Sequence, residues 1–358
     1  MNPAPSRGAN NLILPIQYLR GIAAILVVWF HATIQVDGVS TYFSSSFGAS
    51  GVDLFFVISG FIMVTTTTGR GQTPLQFMRR RVIRVVPLYW LLTLLMVALA
   101  MCVPSLFKTL IVTPGALVES LLFIPHFSHS FPMMVWPLLV PGWTLNFEMF
   151  FYAVFACSLV LPSRVRLPAL ALVFGLLVGI GLIAGPFDSA AANVYFSPLL
   201  IEFVAGAAIG TWLRQRGGVP GPAVSAGLVI CGFVLLVSRD AAPLGQFTQM
   251  IGAVAMVVGA LHPAFAQWPC APLRLLGDSS YSLYLTHLFT LGALRIVWVH
   301  TMGSAESWPA ATAFQVIALA VSSVAGWLTF RLVETPMLNW LNSRTRSRAD
   351  AASVTPAN

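Results

Sequence analysis

The chain has 358 residues, of which 57% are hydrophobic and 8% are charged, and its formal net charge is +8. Soluble domains have roughly 45–50% apolar and about 25% charged residues, so this composition excludes soluble enzymes, disordered proteins and nucleic-acid-binding modules. The basic residues lie in short clusters between long apolar runs, which is typical of membrane proteins that cross the bilayer many times. The predicted fold class is an all-α polytopic membrane protein.

The apolar runs predict the transmembrane helices, because a spanning helix needs about 20 mostly apolar residues. About ten runs qualify, at 16–36, 50–68, 82–103, 143–161, 167–185, 194–213, 220–237, 244–262, 280–300 and 309–333. The stretch 109–124 is interrupted by Pro114, Gly115 and Glu119, so we expect a re-entrant or interfacial helix there. These assignments give an N-terminal tail at 1–15 and a membrane domain at 16–336 with a large periplasmic loop at 104–142. A polar C-terminal tail, partly disordered, follows at 337–358.

The orientation follows from the basic residues of the loops. One alternating set of loops holds sixteen arginines, whereas the other set holds only Lys108 and Arg239. Basic residues accumulate in cytoplasmic loops. The bias therefore predicts ten spans with both termini in the cytoplasm.

Ionisable residues inside apolar runs are costly and are therefore candidates for function. His31, Asp53 and Glu148 are predicted to lie in the outer half of the bundle, where they would suit proton transfer. A helix rise of about 1.5 Å per residue places His31 about 16 Å from Arg20. His287 is predicted in the inner third of its span. The alternatives are a packed histidine at position 31, paired structural charges for the carboxylates, and a hydrogen-bonded core imidazole at position 287.

A cluster of arginines opens the third span. Arg79, Arg80, Arg81 and Arg84 lie close together, and Arg81 and Arg84 share a helix face because they are three residues apart. Guanidinium groups bind phosphate through paired hydrogen bonds. The cluster, together with Arg20, predicts a polyphosphate site at the inner mouth of the bundle. Topology and contact with lipid headgroups are the alternative interpretation.

A metal site is not predicted. His126 and His129 have a spacing of three residues in the large loop, but no third ligand lies near them in the sequence.

Six sequence blocks follow one another along the chain. They are Arg20-x10-His31, FGASGVDLFFVISGF with Asp53, RRRVIRVVPLYW with Arg81 and Arg84, GWTLNFEMFFY with Glu148, GDSSYSLYLTH and VETP. In this order the chain resembles the integral-membrane acyltransferase 3 family. SLLFIPH together with WTLNFEMFFY looks most like its bacterial exopolysaccharide O-acetyltransferase branch. The resemblance covers 16–336, which is nearly the whole chain.

The resemblance implies an enzyme of the bacterial inner membrane that moves an acyl group, expected to be acetyl, from cytoplasmic acyl-CoA to a sugar hydroxyl. The acceptor would be an exopolysaccharide, another surface glycan or a lipid-linked oligosaccharide. Membrane lipid and proteins of polysaccharide synthesis or export are the expected partners, whereas nucleic acid and metal are not expected. Relatives often carry a soluble domain after the last span. Here we expect the membrane domain alone, or a separate partner, to complete the transfer.

The resemblance also implies roles for particular residues. His31 would act as general base or carry the acyl group, with Glu148 or Asp53 orienting its imidazole. Acetyl-CoA would be bound by Arg20, Arg80, Arg81 and Arg84. The acceptor would be bound by Trp143, Asn146, Tyr284 and His287.

Two other functions fit the same residues. A proton-coupled transporter or a flippase for lipid-linked sugars would also use buried His, Asp and Glu as a proton relay. Transporters often contain two matching halves, and the sequence has no such internal similarity. A structural subunit of a polysaccharide synthesis complex is the third possibility.

Overall fold

The secondary structure of the computed structural model, which describes residues 7–69, 71–107, 109–238 and 245–353, is helical. Within these ranges there is no β-strand, which confirms the all-α class. One-turn 3₁₀ helices lie at Pro104–Leu106 and Val140–Gly142, and a π-helical turn at Phe330–Glu334 joins the last two α-helices. The α-helices are α1 (Arg7–Thr33), α2 (Val39–Tyr42), α3 (Ser46–Thr67), α4 (Pro74–Cys102), α5 (Pro114–Leu121), α6 (Trp143–Ser158), α7 (Ser163–Ala184), α8 (Ala190–Tyr195), α9 (Leu200–Arg216), α10 (Pro222–Val237), α11 (Gln246–Ala260), α12 (Pro263–Ala266), α13 (Ala271–Asp278), α14 (Ser280–Met302), α15 (Trp308–Thr329) and α16 (Thr335–Ser353).

Seven helical segments of the described residues are long and apolar enough to cross a membrane. They are Leu14–Thr33, Ser46–Thr67, Pro74–Cys102, Ser163–Ala184, Ala190–Arg216, Ser280–Met302 and Trp308–Arg344. Each overlaps one predicted span. The other three predicted spans form α6, α10 and α11, which have 16, 16 and 15 residues. At about 1.5 Å per residue these helices are shorter than a hydrocarbon core of about 30 Å, so helix length alone supports seven crossings.

The ends of the chain and the large loop differ from the prediction in detail. α1 begins at Arg7, inside the predicted tail at 1–15, and the C-terminal segment predicted to be partly disordered is helical as far as Ser353. In the loop, the interrupted stretch forms only the eight-residue helix α5. Residues 1–6 and 354–358 lie outside the described residues, and so do Arg70, Lys108 and Arg239 of the topology prediction.

The central helix of the bundle is α3. Of the residues in its most apolar window, 72% are buried, and it packs against α1, α9 and α11. Its contact with α9 depends on Gly60 and Gly206, because a side chain at either position would collide with a backbone carbonyl of the other helix. Small residues allow such close helix contacts in membrane proteins. By contrast, only 17% of the corresponding window of α7 is buried, so most of that helix faces outward.

The arginine cluster lies inside α4 rather than in a loop before it. Thr73 caps this helix by a reciprocal pair of hydrogen bonds with Gln76, and Pro74 occupies the first turn, which is a preferred N-terminal arrangement. The helix therefore begins eight residues before the predicted boundary at 82. Helical geometry then divides the arginines between different faces of α4.

The start of α14 is displaced along the bundle relative to α1. The short helix α13 runs beside the first half of α1, with Gly277 against the backbone of Gln17. Leu283, near the start of α14, packs with Ala24 and Val28 of α1. His287, the eighth residue of α14, is therefore level with the last turns of α1. The prediction that it lies in the inner third of the bundle is wrong.

Candidate active site

Five helices, α1, α3, α4, α6 and α14, enclose an open cavity with about 900 Å³ of empty space. On α3 its lining residues recur at Val52, Phe55, Ser59 and Ile62, a spacing that places them on one helix face. The charged and polar side chains that line it are Arg20, Ser59, Arg81, Arg84, Thr144, Glu148, Tyr152, Ser280, Tyr281 and Tyr284. Three guanidinium groups thus line one cavity.

Arg81 forms no ion pair with a carboxylate within the described residues. Its guanidinium lies over the rings of Phe77 and Tyr152, at 5.5 and 5.7 Å from their centroids, and donates a long hydrogen bond of 3.4 Å to Thr66. Its Nε atom is buried without a hydrogen-bond partner among the described residues. A buried donor without a partner is costly, so an acceptor placed here would stabilise the guanidinium.

Arg84, by contrast, has a carboxylate partner. It forms an ion pair with Glu334, which is fully buried and also accepts a hydrogen bond from Ser282. Glu334 lies in the π-helical turn between α15 and α16, and single π-helical turns are frequent at functional sites. Glu334 is not among the predicted site residues, although the VETP block contains it. That block was the available signal.

Arg20 and Arg80 have different surroundings. Arg20 lines the cavity and donates a hydrogen bond of 3.1 Å to Gln17 on its own helix. Arg80 is exposed and does not line the cavity. The structure therefore brings Arg20 together with Arg81 and Arg84 and leaves Arg80 outside.

Glu148 lies in the same cavity as the arginines. It accepts hydrogen bonds from Tyr152, one turn away on α6, and from Ser59 at 3.1 Å. The hydrogen-bond partners of Glu148 are therefore Ser59 and Tyr152 rather than His31.

His31 contacts a second histidine instead. Its Nδ1 atom lies 3.2 Å from Nε2 of His287 and 3.0 Å from the carbonyl oxygen of Val27. His31 is half-buried and His287 is fully buried. Since His287 follows the cavity residue Tyr284 by one helical turn, with 6.0 Å between the ring centroids, the histidine pair lies beside the cavity.

Asp53 is buried on a different face of α3. It lies four and seven residues before Val57 and Gly60, which meet α9, so helical spacing puts all three on the same side. In the part of the chain that the structure describes, no hydrogen bond or ion pair joins His31 to Asp53 or Glu148. The predicted carboxylate partner of His31 is therefore not present in this arrangement.

The other predicted acceptor-binding residues lie near the N-terminal end of α6. The hydroxyl of Tyr284 lies 2.8 Å from Thr144 Oγ1 and donates to the carbonyl of Pro141 at 3.0 Å. Trp143 is half-buried and packs edge-on against Phe147, and Asn146 is buried. Tyr284 lines the cavity, whereas Trp143 and Asn146 do not.

Candidate metal ligands do not cluster in the described residues, where no three His, Cys, Asp or Glu side chains come together.

Comparison with known proteins gives consistent matches along the chain. The acyltransferase 3 family model, described as an acyltransferase domain, matches residues 14–330. The exopolysaccharide production protein ExoZ of Rhizobium meliloti (strain 1021) is 40% identical over 313 residues, which are 86% of this chain and 93% of that protein. The acyltransferase MdmB of Streptomyces mycarofaciens is 24% identical over 347 residues, 88% of this chain and 87% of that protein. No solved structure matches the chain.

Proposed function

Because the chain belongs to the acyltransferase 3 family, we propose that it transfers an acetyl group from acetyl-CoA to a sugar hydroxyl of an exopolysaccharide or another surface glycan. The observation that supports this reaction is the cavity with three arginines, one turn of α14 away from the histidine pair. The match to an exopolysaccharide production protein over most of both chains supports a glycan acceptor. Membership of this family indicates an enzyme, in place of the transporter, flippase or structural subunit considered from the sequence.

The donor phosphates bind Arg20 and Arg81 in this proposal. Neither arginine has an ion pair with a carboxylate among the described residues, so both charges are available for phosphate. Arg84 is held by Glu334 and contributes its remaining donors. The pantetheine arm extends past Tyr284 and brings the thioester to His31.

His31 acts on the acceptor through Nε2. As general base it takes the proton of the sugar hydroxyl, and the sugar oxygen attacks the thioester carbonyl carbon. As acyl carrier the same nitrogen attacks the thioester first and then passes the acyl group to the sugar. In both cases the carbon–sulfur bond breaks and CoA leaves. Glu148 stays with the arginines, where it limits their mutual repulsion.

The protein is proposed to cross the bacterial inner membrane ten times. The seven long segments supply seven crossings, and α6, α10 and α11 supply three more with the turns that flank them. Ten crossings put both termini on one side, and the sixteen-to-two excess of basic residues favours the cytoplasm. The loop at 104–142 is then periplasmic.

Cysteine labelling tests this topology. In a background without the four native cysteines, Val165→Cys and Gln215→Cys should react only with a reagent that has access to the cytoplasm. Met133→Cys, whose native side chain is 89% exposed in the large loop, is the matched control and should react from the periplasm. Periplasmic labelling at 165 or 215 would contradict the model of ten crossings.

A transfer assay tests the activity. Purified protein in lipid nanodiscs, supplied with radiolabelled acetyl-CoA and the host's exopolysaccharide, should release free CoA and place the label in the glycan as an alkali-labile ester. The control omits the glycan. Binding of acetyl-CoA without release of CoA in the presence of the glycan would reject the proposed reaction.

A further inference from the structure

The two rings of the histidine pair come from helices far apart in the sequence. His31 lies in the last turn of α1 and His287 in the second turn of α14. Their ring centroids are 4.8 Å apart with an angle of 53° between the planes. The 3.2 Å between His31 Nδ1 and His287 Nε2 is a hydrogen-bond distance, so one of these nitrogens donates and the other accepts.

Backbone carbonyl groups decide which nitrogen donates. His287 Nδ1 lies 2.6 Å from the carbonyl oxygen of Tyr284. A carbonyl oxygen can only accept, so His287 Nδ1 carries a hydrogen and Nε2 of the neutral ring has a lone pair. His287 is therefore the acceptor in its bond with His31.

The same reasoning applies to His31. Its Nδ1 lies 3.0 Å from the carbonyl oxygen of Val27, so this nitrogen also carries a hydrogen, which it shares between Val27 and His287. The Nε2 atom of the neutral His31 ring then has its lone pair free, since no described residue donates a hydrogen bond to it. This is the nitrogen that a base or an acyl carrier must expose.

We propose that His287 is the positioning residue of His31, and that a neutral imidazole takes the place that a carboxylate has beside the histidine of a Ser-His-Asp triad. The inference rests on the proposed transfer at His31. When the sugar O–H bond breaks and a proton joins His31 Nε2, the Nδ1–H of the resulting imidazolium donates to His287 Nε2. After the carbon–sulfur bond of the donor breaks, the CoA thiolate takes the proton from Nε2 and both rings are neutral again.

A neutral partner suits this position in the bundle. An ionised carboxylate that is buried away from water is costly unless it is paired, and neither Glu148 nor Asp53 bonds to His31. An imidazole supplies the acceptor without a permanent charge. The position of the acceptor is fixed, because the carbonyl of Tyr284 holds the other nitrogen of the same ring.

Two substitutions at position 287 separate positioning from packing. In His287→Gln, the side-chain carbonyl reaches the place of Nε2 and keeps an acceptor for His31. In His287→Asn, the amide reaches only the place of Nδ1, so the bond to Tyr284 can persist while His31 loses its partner. We expect kcat to fall about 10²-fold or more in His287→Asn, within the range typical of general acid–base catalysis, and much less in His287→Gln. The KM for acetyl-CoA should not change in either variant.

Thr290→Val is the control on the same helix, because Thr290 bonds to the carbonyl of His287 and to Ser322 but not to either imidazole. It should keep nearly the wild-type kcat. Equal losses in His287→Gln and His287→Asn, or full activity in His287→Asn, would overturn the positioning role. If the wild-type protein transfers no acyl group, the proposed function itself fails.

Nitrogen-15 NMR of protein labelled at the histidine rings tests the same inference without turnover. Both rings of the resting protein should carry hydrogen at Nδ1 and none at Nε2, with the signals assigned through His31→Gln and His287→Gln. A neutral His31 or His287 with its hydrogen on Nε2 would reject the pairing. The hydrogen positions are read from the wild-type protein at rest, and the two variants serve only to assign its signals.

Discussion

The cavity and the histidine pair are one helical turn apart on α14, and they accommodate polar groups in opposite ways. Around the cavity, formal charges face one another, as in the ion pair of Arg84 with Glu334. Around the pair, the partners are two backbone carbonyls and a second imidazole. Charge is expensive in a membrane interior unless it is compensated. The protein thus keeps its fixed charges where an anionic donor would bind and leaves the proposed reaction centre neutral at rest.

The largest effect is expected at the histidine pair. His31→Gln should abolish acyl transfer, because the amide cannot take a proton or carry the acyl group, whereas the Kd for acetyl-CoA should stay near the wild-type value. Scintillation counting of the glycan and calorimetric binding of acetyl-CoA measure the two quantities. If donor binding and transfer are both lost in His31→Gln, the histidine pair and the cavity do not have separate roles.

The matched control for His31→Gln is His300→Gln. His300 is exposed in the last turn of α14, so its substitution should leave both quantities unchanged. Transfer near the wild-type rate in a well-folded His31→Gln protein would remove His31 from the mechanism.

Substitution of an arginine in the cavity should weaken the binding of acetyl-CoA. Arg81→Ala should raise the Kd for acetyl-CoA by up to about a hundredfold, because a charge-assisted hydrogen bond contributes roughly 1.5–3 kcal/mol and 1.4 kcal/mol is a tenfold change. Arg81→Lys should restore only part of the affinity, since an ammonium lacks the planar fork of guanidinium. Arg80→Ala is the control, because Arg80 is exposed outside the cavity. Equal effects of Arg80→Ala and Arg81→Ala would reduce the cluster to a topology signal.

A smaller effect is expected at Glu334, and on stability rather than on binding. Glu334→Gln keeps an acceptor for Ser282 but leaves the guanidinium of Arg84 without its carboxylate, at a cost of about 1–3 kcal/mol. The midpoint of thermal unfolding should fall, while the Kd for acetyl-CoA should not rise. Glu306→Gln, at an exposed carboxylate, is the control. A rise in Kd without a loss of stability would place Glu334 in the donor site itself.

The sequence predicted the features that depend on local patterns. Apolar length located the seven long segments, and the spacing of Arg81 and Arg84 predicted that both would face one site. The spacing could not show that Arg80 lies outside the cavity, because the packing of α4 decides which of its faces is buried.

Contacts between distant helices were beyond the sequence, because they depend on how far each helix is displaced along its neighbour. Counting from span boundaries gives the depth of a residue only if all spans begin at one level. Because α13 packs beside Gln17, α14 is displaced along α1 and His287 lies against His31. No local pattern records that displacement, and the pairing of Arg84 with Glu334, 250 residues away, is invisible for the same reason.

The π-helical turn at Phe330–Glu334 has a consequence for how relatives of this protein should be aligned. Each residue of a regular helix turns the chain by about 100°, so a wider turn changes the angular phase of everything after it. Arg331 and Leu332 are exposed in this turn, whereas Glu334 is fully buried against Arg84. Deleting one residue here would restore regular α-helix and rotate the carboxylate away from its partner. A relative that lacks one residue at this place is therefore expected to lack the ion pair of Arg84 with Glu334, even where the flanking sequence is well matched.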